Sequence, residues 1–431
     1  MMTKRLFLLI FIFSFNASSF ETTGMVSLEN RYFKNDDNLS TKDQGLAVAS
    51  RLTLKSDFFG ADFTASVKTR VDQLDLTRNI SFIEELKLEK TFGDEDDYFF
   101  GLGFEKFNWR STEVFSAVDI INSRNYDGAL EDTEKFGELS VSFRKYFESS
   151  NLSIFLFPRT KENYIPGGAS RLGVGVDIQD SYFVNDSETE SDEKQTQFAI
   201  KYDQFSNWGD WSLFFTQHFD RQTPIFGNRN YIVDPTRTVC GIEICPLDGT
   251  FNTPYYYEVK DLGGYVTIPW EKWIFKGEFL KRDFSEDTKI GTFTGEDTQK
   301  DYQQLTTGFE YLYSFESGHD LRIIGEYSRT LGVDDAYSRR RFIFQNDIYL
   351  GGQYLLNNSD DTTVDFGFIK DISSGVTESI YLFSYESRLN KGWKINASIR
   401  YIDAEKTTDY PQGLEIFEDD HQGQLSLSYY F

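Results

Sequence analysis

Apolar and polar positions alternate with a period of two from one end of the chain to the other. In "ADFTASVKTRVD", Phe63, Ala65, Val67 and Val71 share one face, and Asp62, Thr64, Ser66, Lys68 and Arg70 share the other. In "WKINASIRYI", Ile395, Ala397, Ile399 and Tyr401 oppose Lys394, Asn396, Ser398 and Arg400. "LTTGFEYLYSF" and the closing "GQLSLSYYF" repeat the pattern. Side chains of an extended strand point alternately to its two faces, so each stretch predicts a strand with one greasy side and one polar side.

The strands come in pairs joined by short turns at Phe59-Gly60 and at residues 93–96, 149–151, 207–210, 269–272, 316–319, 357–360 and 390–392. Gly, Asn, Asp, Ser and Pro dominate these turns and suit tight hairpins. Between pairs the connections are longer and often acidic, as at 185–194, 221–252 and 285–301. The pattern predicts about eighteen strands, with sixteen as the alternative and boundaries uncertain by about two to four residues. The fifth strand is expected over 97–109, the fourteenth over 341–356 and the last over 418–431. Short turns at one end and long loops at the other suit an all-β, transmembrane antiparallel β-barrel with short periplasmic turns and long external loops. In hydrocarbon every backbone polar group needs a protein partner, and a closed sheet supplies one without leaving an edge. A secreted β-sandwich would show the same alternation with its faces reversed. The repeated asymmetry of short turns and long loops, together with the C-terminal ending, separates these readings.

At the N-terminus, Lys4 and Arg5 precede an apolar run at 6–15 and the small residues Ala17 and Ser19. This is the layout of a secretory signal peptide over 1–19, leaving 20–431 as the barrel. The run is too short to cross a bilayer as a helix, which takes about 20 residues. At the C-terminus, Leu425, Leu427, Tyr429 and Phe431 fall on every second position. That strand resembles the recognition signal read by the outer-membrane barrel assembly machinery. The expected location is therefore the bacterial outer membrane, in contact with lipid and lipopolysaccharide.

Composition narrows the function. Aromatic residues are 17% of the chain, as a strand-rich protein would show. Without Lys4 and Arg5, 42 basic residues face 69 acidic ones, a formal net charge of −27. A field of that sign argues against nucleic acid as a partner. Cys240 and Cys245 are the only cysteines, and export to an oxidising compartment predicts a disulfide stapling a long loop. A zinc site would need two more ligands, and His218, His319 and His421 are remote in sequence. No cofactor is expected.

The fifth strand runs into "NWRSTEVFSAVDIINSRNYDG", the third external loop, taken as 110–135. Ser111 or Thr112 could cap a short helix over 112–121, with Glu113 in its first turn. Asp119, Asn122, Arg124, Asn125 and Asp127 follow. In general porins the third external loop folds inward and narrows the pore, and this loop holds the same ordinal place. The stretch also resembles a poorly characterised family of Gram-negative outer-membrane barrels. Its members carry Trp-Gly, a nearby acid, and an Asp…Asn-Pro-Arg-Asp segment. Trp109, Glu113, Asp119, Asn122, Arg124 and Asn125 are the matching positions. Arg110 stands where that family has Gly, Ser123 where it has Pro, and Asn125 where it has Asp. The resemblance implies a constriction formed by Glu113, Asp119, Asn122, Arg124 and Asp127. Parity alone offers the facing wall: Lys68, Arg70, Lys87, Arg322 and Arg400. Lys87 is placed inward because Leu86 and Leu88 would face lipid. A loop that merely lids the surface is the competing reading.

The expected function is passive diffusion of small hydrophilic solutes or ions through a porin-like channel, with a homo-oligomer carried only by analogy. The alternative is a non-conducting binding or structural barrel, whose acidic runs at 186–193, 334–335 and 418–420 could hold Ca²⁺. The basic run 338–342, "SRRRF", is expected near the external end of a strand, where it could meet lipopolysaccharide phosphates. An outer-membrane hydrolase is less favoured, because the topology sets His218 and His421 on opposite sides and His319 in a periplasmic turn, so no dyad forms. No plug domain precedes the first strand, which argues against an energy-coupled receptor.

Overall fold

The structure, a computed structural model, describes residues 20–34, 42–131, 133–167, 170–173, 178, 181–185, 188–190, 194–222, 225–228, 239–240, 243–244, 252–285, 299–405, 413–418 and 420–431. The expected signal peptide, Cys245 of the expected disulfide and most of the acidic run 186–193 lie outside them.

Eighteen strands form the wall. They are β1 (Glu21–Phe33), β2 (Gln44–Asp57), β3 (Asp62–Asp72), β4 (Ile80–Phe92), β5 (Tyr98–Glu105) and β6 (Glu138–Tyr146). Next come β7 (Ser150–Phe157), β8 (Gln197–Gln204), β9 (Asp210–Phe219), β10 (Asn252–Trp270), β11 (Trp273–Phe284) and β12 (Tyr302–Ser314). The last are β13 (Asp320–Leu331), β14 (Asn346–Leu355), β15 (Thr363–Asp371), β16 (Glu378–Asn390), β17 (Trp393–Ala404) and β18 (Gln422–Tyr430). Each pairs antiparallel with its sequence neighbour, and β18 pairs with β1, so the sheet closes. The sixteen-strand alternative is set aside.

Three expected boundaries move, and the first is the fifth strand's end, at Glu105 rather than 109. The fourteenth strand starts at Asn346 rather than 341, because Asp335–Arg341 forms a short helix, α1, capped by the Asp334 side chain. The basic run 338–342 thus ends a helix instead of opening a strand. The last strand starts at Gln422, after a 3₁₀ turn at Gly413–Phe417.

Alternation sets the two surfaces. Val26, Leu28, Leu52, Leu86, Leu102, Ile154, Leu213 and Leu350 are exposed on the outer face. Their strand neighbours Ser27, Ser153 and Ser212, and Ser66 beside the exposed Val67, are buried on the inner one. Five of the six tryptophans, Trp208, Trp211, Trp270, Trp273 and Trp393, sit at or beside short turns. Amphipathic rings at that level mark a membrane–water interface. The turn after β2 shows why these hairpins are tight. Phe59 and Gly60 both have positive φ (57° and 71°), and Phe58 and Ala61 exchange both backbone hydrogen bonds. That is the twist of a two-residue hairpin, which Gly adopts without steric cost.

The chain end completes the closure. Gly24 and Phe431 exchange backbone hydrogen bonds of 2.8 and 3.0 Å, and the register continues as Val26↔Tyr429 and Leu28↔Leu427. The Phe431 ring lies over Gly24, where a Cβ would come within 2.3 Å of it. A bulge between β3 and β4 leaves Glu84 unpaired in the ladder and aims it inward. There it meets Arg51 at 2.5 Å and Lys106, at the start of the third external loop, at 2.9 Å.

Candidate functional site

The loop between β5 and β6 turns into the barrel and crosses it. No helix forms over 112–121; the segment is irregular. The reason is competition for its amides. Glu278 on β11 accepts the N–H groups of Ser111 (2.6 Å), Thr112 (3.0 Å) and Ala117 (2.9 Å) and the Ser116 hydroxyl (2.8 Å). Glu326 on β13 accepts the N–H groups of Glu113, Val114 (3.0 Å) and Phe115 (2.9 Å). Six backbone donors are thus spent on two wall carboxylates, and hydrogen bonds to charged acceptors outweigh neutral ones by roughly a factor of two. A helix over 112–121 would need the amide of Ala117 for its own carbonyl, and Glu278 holds that amide.

The far end is held by charge. Asp127 is buried, and Oδ1 accepts from both Nη atoms of Arg31 at 3.1 Å. Oδ2 accepts from Arg70 Nη2 at 2.6 Å and Arg78 Nε at 3.4 Å. Arg31 and Arg70 come from β1 and β3, and Arg78 from the 3₁₀ turn Leu76–Arg78. Further pairs cross from wall to loop: Lys68–Glu134 at 2.5 Å, Arg400–Glu131 at 2.9 Å, Lys276–Glu113 at 2.7 Å and Arg322–Glu113 at 3.2 Å.

Within the loop, two of the sequence candidates act as staples. The Asn122 side chain accepts from Phe107 N (2.7 Å) and donates to Glu105 O (3.0 Å) and Phe136 O (2.8 Å). Asp119 pairs with Arg124 at 2.9 Å and Lys135 at 2.6 Å. Burial lowers the pKa of the Lys135 ammonium, against the pull of Asp119. Arg124–Asn125 forms a two-residue ladder with Glu134–Lys135, and Tyr126 N donates to Tyr164 O at 2.9 Å.

Of the named wall residues, Lys68, Arg70, Arg322 and Arg400 all reach the loop. Lys87 does not: it faces the lumen but pairs with Glu85 and Glu89 of its own strand, at 3.6 and 3.0 Å. Glu113 and Asp127 face the wall, while Asp119 and Asn122 are buried inside the loop. Glu278, Arg31, Arg78, Lys276 and Glu131 escaped the sequence reading. Parity could have found Glu278, since Lys276, Glu278 and Arg282 alternate in "WIFKGEFLKRDF".

Two cavities meet at the loop. A mid-barrel cavity of about 670 Å³ lies against Arg31, Lys68, Arg70 and Arg400. An external one of about 260 Å³ reaches Arg341–Phe344, beyond β13. Arg110, Val114 and Glu131 line both. Glu131 is paired with Arg400, whereas Arg110 has no ion pair or hydrogen bond among the described residues. Among the described residues, no three His, Cys, Asp or Glu side chains are grouped to hold a metal. His218 is buried, with Nε2 2.7 Å from Asp261 Oδ2 and Nδ1 3.5 Å from Arg221 Nη1. His319 sits in a turn, with Nδ1 2.8 Å from Leu356 O.

No family model matches the chain, and no curated protein does. Solved structures do match its fold. Pseudomonas aeruginosa OccK3 (OpdO) aligns with a TM-score of 0.51 at 10% identity over 95% of this chain and 96% of that one. Pseudomonas aeruginosa OccK2 (OpdF) in complex with glucuronate aligns with a TM-score of 0.51 at 10% identity over 96% and 98%. Escherichia coli Wzi, an outer-membrane protein involved in group 1 capsule assembly and a carbohydrate-binding β-barrel, aligns with a TM-score of 0.51 at 8% identity over 95% and 84%. The chain is thus similar in architecture both to Occ barrels and to a carbohydrate-binding barrel.

Proposed function

We propose that the protein is an integral outer-membrane channel through which small hydrophilic solutes diffuse passively. The observation that carries this reading is that two cavities, of about 670 and 260 Å³, share Arg110, Val114 and Glu131 in their lining, inside a closed barrel with an apolar outer face. Selectivity in such a pore comes from its width and from the charged groups lining it. Most lining charges are neutralised by one another; among the described residues Asp365, in the mid-barrel cavity, and Arg110, where both cavities share their lining, have no ion pair, and Arg110 is left to act on the solute at that shared point. Anionic groups are favoured at that point, and the glucuronate held by the OccK2 neighbour is a solute of this kind. Asp119, Asn122 and Arg124 give the constriction its shape, while Glu113 and Asp127 fasten it to the wall. The assembly machinery reads the strand bearing Leu425, Leu427, Tyr429 and Phe431.

Purified protein in planar lipid bilayers tests this. Stepwise conductance is expected, with a zero-current potential showing anion preference that falls in Arg110→Ala. A folded barrel that never conducts would sink the channel. It would favour a binding barrel like Wzi, a reading supported by the many tethers holding the loop across the lumen.

A further inference from the structure

We infer that Glu278 and Glu326 are the positioning residues of the constriction. They set where Arg110 and Val114 stand, although neither carboxylate belongs to the loop. The inference rests on the channel reading and adds how its narrowest point is fixed. Glu278 grips the chain at Ser111, one residue after Arg110, and again at Ala117. Glu326 grips it at Glu113, Val114 and Phe115. Both carboxylates are buried on the inner wall, on strands facing the arginine cluster that holds Asp127. The loop therefore spans the barrel between two unlike anchors: amides on acids at one side, an acid on guanidinium groups at the other.

The geometry demands a carboxylate rather than any polar group. Glu278 Oε1 accepts from Ser111 N and Thr112 N, and Oε2 from Ala117 N. Glu326 Oε1 accepts from Glu113 N, and Oε2 from Val114 N and Phe115 N. Both oxygens of each group face backbone donors. A glutamine has one oxygen and one NH₂, so either flip of its amide sets N–H against N–H. A group that left buried donors unpaired would release the segment.

Glu278→Gln and Glu326→Gln are compared with wild type and with Glu258→Gln. Glu258 is a wall carboxylate that meets Gln217 at 2.7 Å and does not touch the loop. Heat-modifiable mobility confirms that each barrel is folded. Two readouts follow: single-channel conductance with zero-current potential, and tryptic cleavage at Arg110, Arg124 and Lys135. The expected result is a shift in conductance and potential, and faster cleavage, in the first two variants but not in Glu258→Gln. Folded Glu278→Gln and Glu326→Gln barrels with wild-type conductance and wild-type cleavage would overturn the inference. So would equal shifts in all three, which would mean that lost charge alone acts. If wild type does not conduct, the channel reading falls, and the cleavage rates alone decide whether these glutamates place the loop.

Discussion

Asp127→Ala removes the acid at the centre of the arginine cluster, and the structure bounds the cost. The carboxylate takes four guanidinium contacts between 2.6 and 3.4 Å. Truncating one partner of a buried ion pair costs about 3–5 kcal/mol, because the remaining charges stay buried. Two of the three arginines keep other acids: Arg78 meets Asp72 at 2.6 Å and Arg31 meets Asp75 at 3.6 Å. Among the described residues, Arg70 keeps only its bond to Arg78 O, at 3.1 Å. The lower end, about 3 kcal/mol, is therefore expected for the docked loop. By the rule of tenfold per 1.4 kcal/mol, that is a loss of roughly 100-fold in amide protection. The place to read it is Tyr126, whose N–H donates to Tyr164 O. Hydrogen exchange in detergent should show fast exchange there in Asp127→Ala, while amides of the β1–β18 seam stay protected. Asp127→Asn keeps the shape but not the charge, and should fall between. Unchanged protection at Tyr126 in Asp127→Ala would refute the idea that this acid holds the loop.

Other outcomes follow from single contacts. Gly24→Val places side-chain atoms where the Phe431 ring lies, so it should lower the melting temperature of the barrel refolded in detergent; Phe431→Ala in the same background should partly restore it. Arg110→Glu should move the zero-current potential toward cation preference, read in a salt gradient across a bilayer. Asp334 caps α1 by accepting Tyr337 N at 2.7 Å, and this bond, first among its causes, holds its pKa below the ordinary carboxylate value. The cap's contribution is therefore full above the ordinary value and fades as pH falls through the depressed one. The protection factor of the Tyr337 amide, its exchange divided into the intrinsic rate at each pH, should fall at acid pH in wild type and be low at all pH in Asp334→Ala.

The barrel was legible in the sequence because its physics is local. A residue's face follows from its parity, and a turn from two or three residues of special conformation. Eighteen strands, their pairing and the inward placement of Arg70, Arg322 and Arg400 follow from those two rules. The loop obeys no such rule. Its 112–121 segment has a cap, an acid in the first turn and apolar spacing, all of which suggest a helix when the segment is read alone. What decides its shape is two glutamates more than 150 residues further along the chain. They become neighbours only when the cylinder closes and β11 and β13 come round to face β1 and β3. Asp119 and Asn122 look like pore residues for the same reason: a polar side chain in a loop is free by default. Here the loop lies inside the barrel, away from bulk water, and its own carbonyls and amides need partners. Polar residues near the tip are consumed in satisfying them. Among the charges that line both cavities, the one left without an ion pair among the described residues is Arg110.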